Sequence, residues 1–250
     1  MSQESKELAA KAQKLSGKQV GDLLMNNMLV IIMIIAAIAI AIYRPAFVSP
    51  SSIINIISLT AAYLPAALGI AGCIVLTGTD LSAGRAVGLT ACVSASLLQS
   101  VTASNKMWPG IGTLPIPVVI VIAMGIGALV GAFNGFFVGK FKLHPFIVTL
   151  GTQLILYTCL LLYVQMGNNG GGTIGSLDSS YTSFVRDPLF SIPTGNGASV
   201  PIPRYVLYSI ILAIIMWFIW NKTTFGKNLY AVGGNPEAAA VSGISVFGVT

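Results

Sequence analysis

Residues 116–138 read IPVVIVIAMGIGALVGAFNGFFV, without a single Lys, Arg, Asp or Glu. That length matches what a helix needs to cross a bilayer, roughly 17–25 residues. Gly127, Gly131, Gly135 and, just beyond, Gly139 recur every fourth position. They form one smooth stripe on a helix face, where a neighbouring backbone can come close. The stripe predicts a helix packed in a bundle, and Asn134 beside it needs a hydrogen-bond partner there. Further apolar runs occupy 28–43, 53–76, 86–98, 146–164 and 205–220. The run 86–98 is the weakest, being short and holding Thr90, Ser94 and Ser96.

Composition agrees with a membrane protein. Hydrophobic residues make up 55% and charged residues 8%, where a soluble domain carries about 25% charged. So few charges cannot cover a soluble surface. The expected fold is all-α: a polytopic membrane helix bundle of about six transmembrane helices. Their spans are near 26–43, 53–76, 84–104, 116–139, 145–166 and 204–220. A tail over 1–25 precedes the 26–220 bundle, and a polar segment over 221–250 follows it. Pro45, Pro50, Pro109, Pro115 and Pro145 punctuate span ends, whereas Pro65 falls inside the second span and predicts a kink. The first apolar run is too long for a signal core and lacks a small-x-small exit, so it reads as a transmembrane helix and not a cleaved signal.

The net charge of +6 does not come from a nucleic-acid patch. Lys6, Lys11, Lys14 and Lys18, Lys140 with Lys142, and Lys222 with Lys227 fall after zero, four and six crossings. They therefore share one side, which the positive-inside rule makes cytosolic, together with the N-terminus. Arg44, Lys106, Arg186 and Arg204 then face outward, with Asp178 and Asp187 nearby. Cys73, Cys92 and Cys159 lie singly in apolar segments, and His144 is the only histidine. No metal-ligand spacing, nucleophile set or phosphate loop is present. The chain is expected to have no catalytic residue, metal or cofactor of its own, which excludes an ATPase or a membrane enzyme.

After the last apolar run comes FGKNLYAVGGNPEAAAVSG, residues 225–243. Asn235 suits an N-cap, Pro236 the first helical position, and Glu237 the positive end of a helix dipole. Ala238–Ala240 propagate a short helix and Gly243 can end it. Gly233 and Gly234 free the backbone before it. Either this is an ordinary loop or a mechanical contact with another protein.

Asp80 and Arg85 are the other unusual residues. They flank Leu81–Gly84 in the break TGTDLSAG. In one reading Asp80 or Ser82 caps the third span and Arg85 lies at headgroup level. In the other, residues 78–84 are an unwound segment lining a translocation cavity, and an Asp80–Arg85 pair lowers the burial cost. Gln99, Asn134, Gln153 and Tyr157 are candidates to bond a hydroxylated solute. The long loop 167–203 is either a flexible connector, with a short helix over 178–187, or a docking surface.

Three separated words, NKTTFGKNLYAVGGNPEAAAVSGI, GTDLSAGRAVGL and HPFIVTLGT, together resemble importer permeases of the ABC class, in their ribose/galactose branch. Glu237-Ala238-Ala239 followed by Gly243 is similar to that family's EAA-x-x-x-G signature. The resemblance runs from about Asn26 to Thr250. Family members are longer, with further spans, so the chain looks truncated at its C-terminus.

The resemblance implies a transmembrane permease subunit of an ATP-driven, binding-protein-dependent importer of a monosaccharide of galactose, glucose or methyl-galactoside type. It implies that Gly233, Gly234, Asn235, Pro236, Glu237, Ala238, Ala239 and Gly243 form an ATPase-coupling segment. Asp80, Ser82, Arg85, Asn134 and Gln153 become translocation-path candidates. Implied partners are a cytosolic ATPase carrying the ATP, an extracytoplasmic sugar-binding protein and a second permease chain, most simply in a homodimer. The setting is a bacterial-type cytoplasmic membrane. The alternative is an ATPase-independent secondary transporter or channel for a small polar solute. It would need internal repeats and paired intramembrane charges, for which only Asp80 and Arg85 are available.

Overall fold

The computed structural model describes residues 24–193 and 199–250. The tail assigned to 1–25 lies outside the described residues except for Leu24 and Met25. The apolar runs become helices α1 (Met28–Tyr43), α2 (Pro50–Val75), α3 (Ala83–Leu97), α4 (Ile116–Phe141), α5 (Pro145–Gln165) and α7 (Arg204–Lys222). Between α5 and α7 stand α6 (Ser179–Arg186) and a two-stranded antiparallel hairpin, β1 (Pro188–Pro193) with β2 (Ser199–Pro203). After α7 come α8 (Thr224–Gly234), α9 (Pro236–Val241) and α10 (Val246–Val249). The chain is a polytopic helical membrane protein, and the hairpin is a small addition to the expected all-α fold.

α2, α4, α5 and α7 are each long and apolar enough to cross a membrane, whereas α1 and α3, with 16 and 15 residues, are shorter. The third span, expected over 84–104, stops at Leu97. The cause is Gln99, which is fully buried and spends its side chain on the backbone of other segments. Its amide donates to the carbonyls of Asn105 and Gly175 and accepts from Met107 N–H at 2.9 Å. Gln99 is thus a brace and not a solute contact. Ser100 N–H donates to Ser176 and Asp178 N–H to Leu98, which ties the turn after α3 to the segment after α5.

The chain divides into two compact units, with the boundary after Asn55 inside α2. In the first, α1 has no buried residue. A helix apolar on all sides is stable in hydrocarbon and not in water. In the second, α3, α4 and α5 pack on one another, α6 packs on α7, and α10 packs on α4 and α8. Val121, Met124 and Leu129 of α4 remain largely exposed, as a lipid-facing helix requires.

Pro65 does lie inside α2. It has no N–H, so the carbonyl of Ala61 loses its helical partner. Ser209 of α7 replaces that partner, its hydroxyl donating to Ala61 at 2.6 Å.

The glycine stripe of α4 splits in two. A Cβ at Gly139 would lie 2.9 Å from the Phe247 ring, and one at Gly135 would lie 3.0 Å from the Thr250 carbonyl. That half receives α10 and Thr250. Gly127 and Gly131 meet nothing within 4 Å.

The two ends of the second unit differ in chemistry. One end gathers Lys140, Lys142, Lys222 and Lys227 with α8 to α10, and the other gathers the Gln99 brace, α6 and the hairpin. Arg204 and Asp187 pair at 3.4 Å at the hairpin end, as their expected proximity allowed. Lys106, expected to face outward, is buried and donates to the carbonyl of Gln99 at 3.3 Å. Asp178 caps α6, and the backbone hydrogen bond from Ser180 holds its carboxyl below the usual carboxylate range.

Candidate functional site: the TGTD break and the capped helix

The lysine-rich end holds a cavity of about 230 Å³, with Gly78, Asp80, Asn134, Thr149, Val232 and Pro236 in its wall. It joins the two sequence features singled out above, the TGTD break and the segment after α7.

The break is built by hydrogen bonds. α2 closes with Gly78 N–H on the Cys73 carbonyl and Thr77 N–H on Ile74, with Thr77 in the left-handed region at φ +56. A β-branched residue is strained there. Asp80 then turns back on Ser82. Its Oδ1 accepts from Ser82 N–H at 2.8 Å and from the Ser82 hydroxyl at 2.6 Å. Ser82 has no exposed surface. Its oxygen accepts from Asn134 Nδ2 at 2.9 Å, and Asn134 Oδ1 accepts from the Thr152 hydroxyl at 2.6 Å. Thr149 adds a second tie, accepting from Leu81 N–H at 3.2 Å. The break is therefore pinned to α4 and α5 through buried side chains, and Asp80 is held by the donors of Ser82 and not by a cation.

Arg85 takes no part. Its guanidinium lies 4.4 Å from the centre of the Tyr157 ring, a cation–π contact. Among the described residues the one ion pair is Arg204–Asp187, so the Asp80–Arg85 pair does not form. The reason is geometric: α3 begins just after Ser82, and the helix carries Arg85 round to the Tyr157 ring of α5. Gln153 is half-buried and its side chain makes no hydrogen bond among the described residues. His144 caps α5, its Nδ1 accepting from Phe146 N–H at 3.4 Å. Thr149 and Thr152 were the partners not singled out beforehand. Their signal was present, as two hydroxyls one helical turn apart in an apolar run.

The segment after α7 departs from the expected hinge. Residues 224–234 form the eleven-residue helix α8, and Gly233 and Gly234 are its last two residues. A Cβ built on Gly233 would overlap the carbonyl oxygen of Val75, so Gly233 serves close packing of α8 on the end of α2. Gly234 meets nothing within 4 Å.

α9 follows the expected pattern. The Asn235 side chain accepts from Glu237 N–H and Ala238 N–H, both at 3.0 Å, and Pro236 opens the helix. At the other end Ile244 N–H bonds Ala239 and Gly243 N–H bonds Ala240, with Gly243 at φ +83. That is a Schellman closure with glycine at its left-handed position. Gly243→Ala is expected to destabilise this end by about 1 kcal/mol. Faster amide exchange at Gly243 and Ile244 would register it.

Ala239 is buried and anchors α9, while Glu237, Ala238 and Ala240 are exposed and Val241 is 91% exposed. Glu237 has no ion-pair partner among the described residues. A short helix fixed at both caps, anchored by one alanine, presents an acidic residue and an apolar one outward.

Residues 52–250 match the family model of branched-chain amino acid transport system permease components. The chain belongs to this family. It is similar to the galactose/methyl galactoside import permease protein of Haemophilus influenzae, with 39% identity over 90% of the chain and 65% of that protein. With the protein of the same name from Escherichia coli it shares 41% identity, over 86% of the chain and 62% of the relative. The ribose import permease protein of Haemophilus influenzae is 32% identical over 92% of the chain and 64% of its own length. The chain thus spans a little under two thirds of each of these three relatives. No solved structure matches it.

Proposed function

We propose that the chain is the membrane permease of an ATP-driven, binding-protein-dependent importer of a monosaccharide of the galactose, glucose or methyl-galactoside type. The observation that carries the reading is α9. It is capped at both ends, exposes Glu237 and Val241, and is joined to the bundle through α8, whose Gly233 sits on the end of α2. A partner that pushes on α9 moves α8, and through it the end of α2 and the wall of the inner cavity. The substrate class is proposed by analogy with the relatives, which are named as import permeases for galactose/methyl galactoside and for ribose.

In this reading the lysine-rich end is cytosolic by the positive-inside rule, as is the N-terminus. Residues 26–220 form the bundle in the inner membrane and 221–250 the coupling segment. ATP is bound and hydrolysed by a separate cytosolic subunit, and the chain holds no cofactor. A second copy completes the pathway, and a sugar-binding protein docks at the hairpin end. The ATPase drives transport by binding one of two bundle arrangements more tightly than the other. Asp80, Ser82 and Asn134 belong to the inner end of the path, whereas Arg85 and Gln153 stand apart from them.

The test is co-purification in mild detergent with the ATPase encoded beside this chain. Glu237→Lys places a positive charge at the positive end of α9 and is expected to cost roughly 1 kcal/mol, about a fivefold loss of capture. Glu237→Gln should lose less. Equal capture of all three proteins removes Glu237 from the coupling role. Capture of none by an intact chain removes the importer reading itself.

A further inference from the structure

The hairpin end carries a larger opening, of about 780 Å³, between the middle of α2 and the start of α7. Sites for small molecules usually enclose roughly 300–1,000 Å³. The opening lies beside Pro65 of α2, where the Ala61 carbonyl loses its helical partner and accepts from Ser209 of α7 instead.

The wall has suitable chemistry. Tyr205 and Tyr208 are one turn apart on α7, and Arg186 ends α6 beside them. Tyr208 is fixed: its hydroxyl donates to the Phe184 carbonyl at 3.0 Å and its ring stacks on Phe184 with centres 5.0 Å apart. The Tyr205 hydroxyl and the Arg186 guanidinium make no hydrogen bond or ion pair among the described residues. No carboxylate lines the opening. A rigid aromatic face with uncommitted donors suits a neutral ring with apolar C–H faces and hydroxyl edges.

We propose that this opening receives a monosaccharide, with Tyr208 against the sugar ring and Tyr205 and Arg186 bonding its hydroxyls. The inference rests on the importer reading for its ligand class, and names the residues that meet the cargo at the hairpin end.

Leu212→Cys in the wall gives a direct test in proteoliposomes holding the chain with its ATPase and binding protein. A bulky charged thiol reagent is added at the hairpin side, with and without galactose. The unsubstituted chain, with Cys73, Cys92 and Cys159, supplies the background rate. Galactose should slow labelling about tenfold once present at about ten times its dissociation constant. Tyr205→Phe added to this variant should raise the galactose needed for the same protection by roughly fivefold. Ala62→Cys on the α2 wall repeats the measurement if Leu212→Cys disturbs folding. Labelling unaffected by galactose, in a complex that takes up galactose, overturns the site and leaves the importer reading standing. Protection without uptake supports the site and counts against the importer. Neither protection nor uptake overturns both.

Discussion

Gly233→Val should abolish the seat between α8 and the end of α2, and with it both ATPase capture and uptake. A Cβ at position 233 would fall on the Val75 carbonyl oxygen, with the Val75 carbonyl carbon and Leu76 Cα directly behind it. These are backbone atoms, so no side chain can swing aside to make room. Overpacking a well-fitted contact costs typically 1–3 kcal/mol, and here relief requires that α8 lift off α2. The neighbouring Gly234 supplies the control. It is in the same helix and meets nothing within 4 Å, so Gly234→Val should leave capture near the parental level. The measurement is co-purification with the ATPase together with sugar uptake. If both valine variants behave alike, α8 does not transmit through α2. If Gly233→Val is fully active, the close approach itself is not required.

The contrast between those two glycines shows what was legible in the sequence. From the sequence they form one flexible pair, because intrinsic propensity disfavours both in a helix. What separates them is remote in the chain: Gly233 packs on the Val75 carbonyl, whereas Gly234 meets nothing within 4 Å. α9 was readable because its causes are local. Asn235, Pro236 and Gly243 act on backbone groups within a few residues, and every capping bond expected of them is present. The apolar runs were likewise readable, since crossing length and apolarity are properties of a segment by itself. The end of α3 was not, because Gln99 finds its partners at Met107, Asn105 and Gly175 only after folding. The same holds at the candidate site. One of the two readings paired Asp80 with Arg85, but Ser82, two residues on, donates to the carboxylate instead. Arg85 was left to the Tyr157 ring on α5. The burial of Lys106 was not legible either, because the turn that Gln99 organises creates it.

Asn134→Leu should release the TGTD break from α4 and impair transport while leaving ATPase capture largely intact. The direction of each hydrogen bond follows from the carboxylate. Asp80 can only accept, so Ser82 donates to it and must itself accept from Asn134. Asn134 uses its amide nitrogen for that, which leaves its oxygen to accept from Thr152. One side chain therefore supplies a donor to one buried hydroxyl and an acceptor to another. Leucine has similar bulk and supplies neither. Thr152 has a fallback in the Val148 carbonyl of its own helix, 3.0 Å away. Ser82 keeps its bond to Asp80 but has no replacement for the donor it loses, and a lost hydrogen bond costs about 0.5–1.5 kcal/mol. The break then keeps only the Thr149 tie to α5. Asn134→Asp should be worse than Asn134→Leu, although it is closer in shape. It removes the donor and sets a second carboxylate across Ser82 from Asp80, so like charges add to the lost bond. α9 lies outside this network, and its exposed face is unchanged in both variants. The measurements are sugar uptake and ATPase co-purification for the two variants side by side. Uptake in the order parent, leucine, aspartate, with capture preserved, identifies the network as part of the moving path. Parental uptake in the aspartate variant would show that the bonds from Asp80 to Thr152 serve only to fold the bundle.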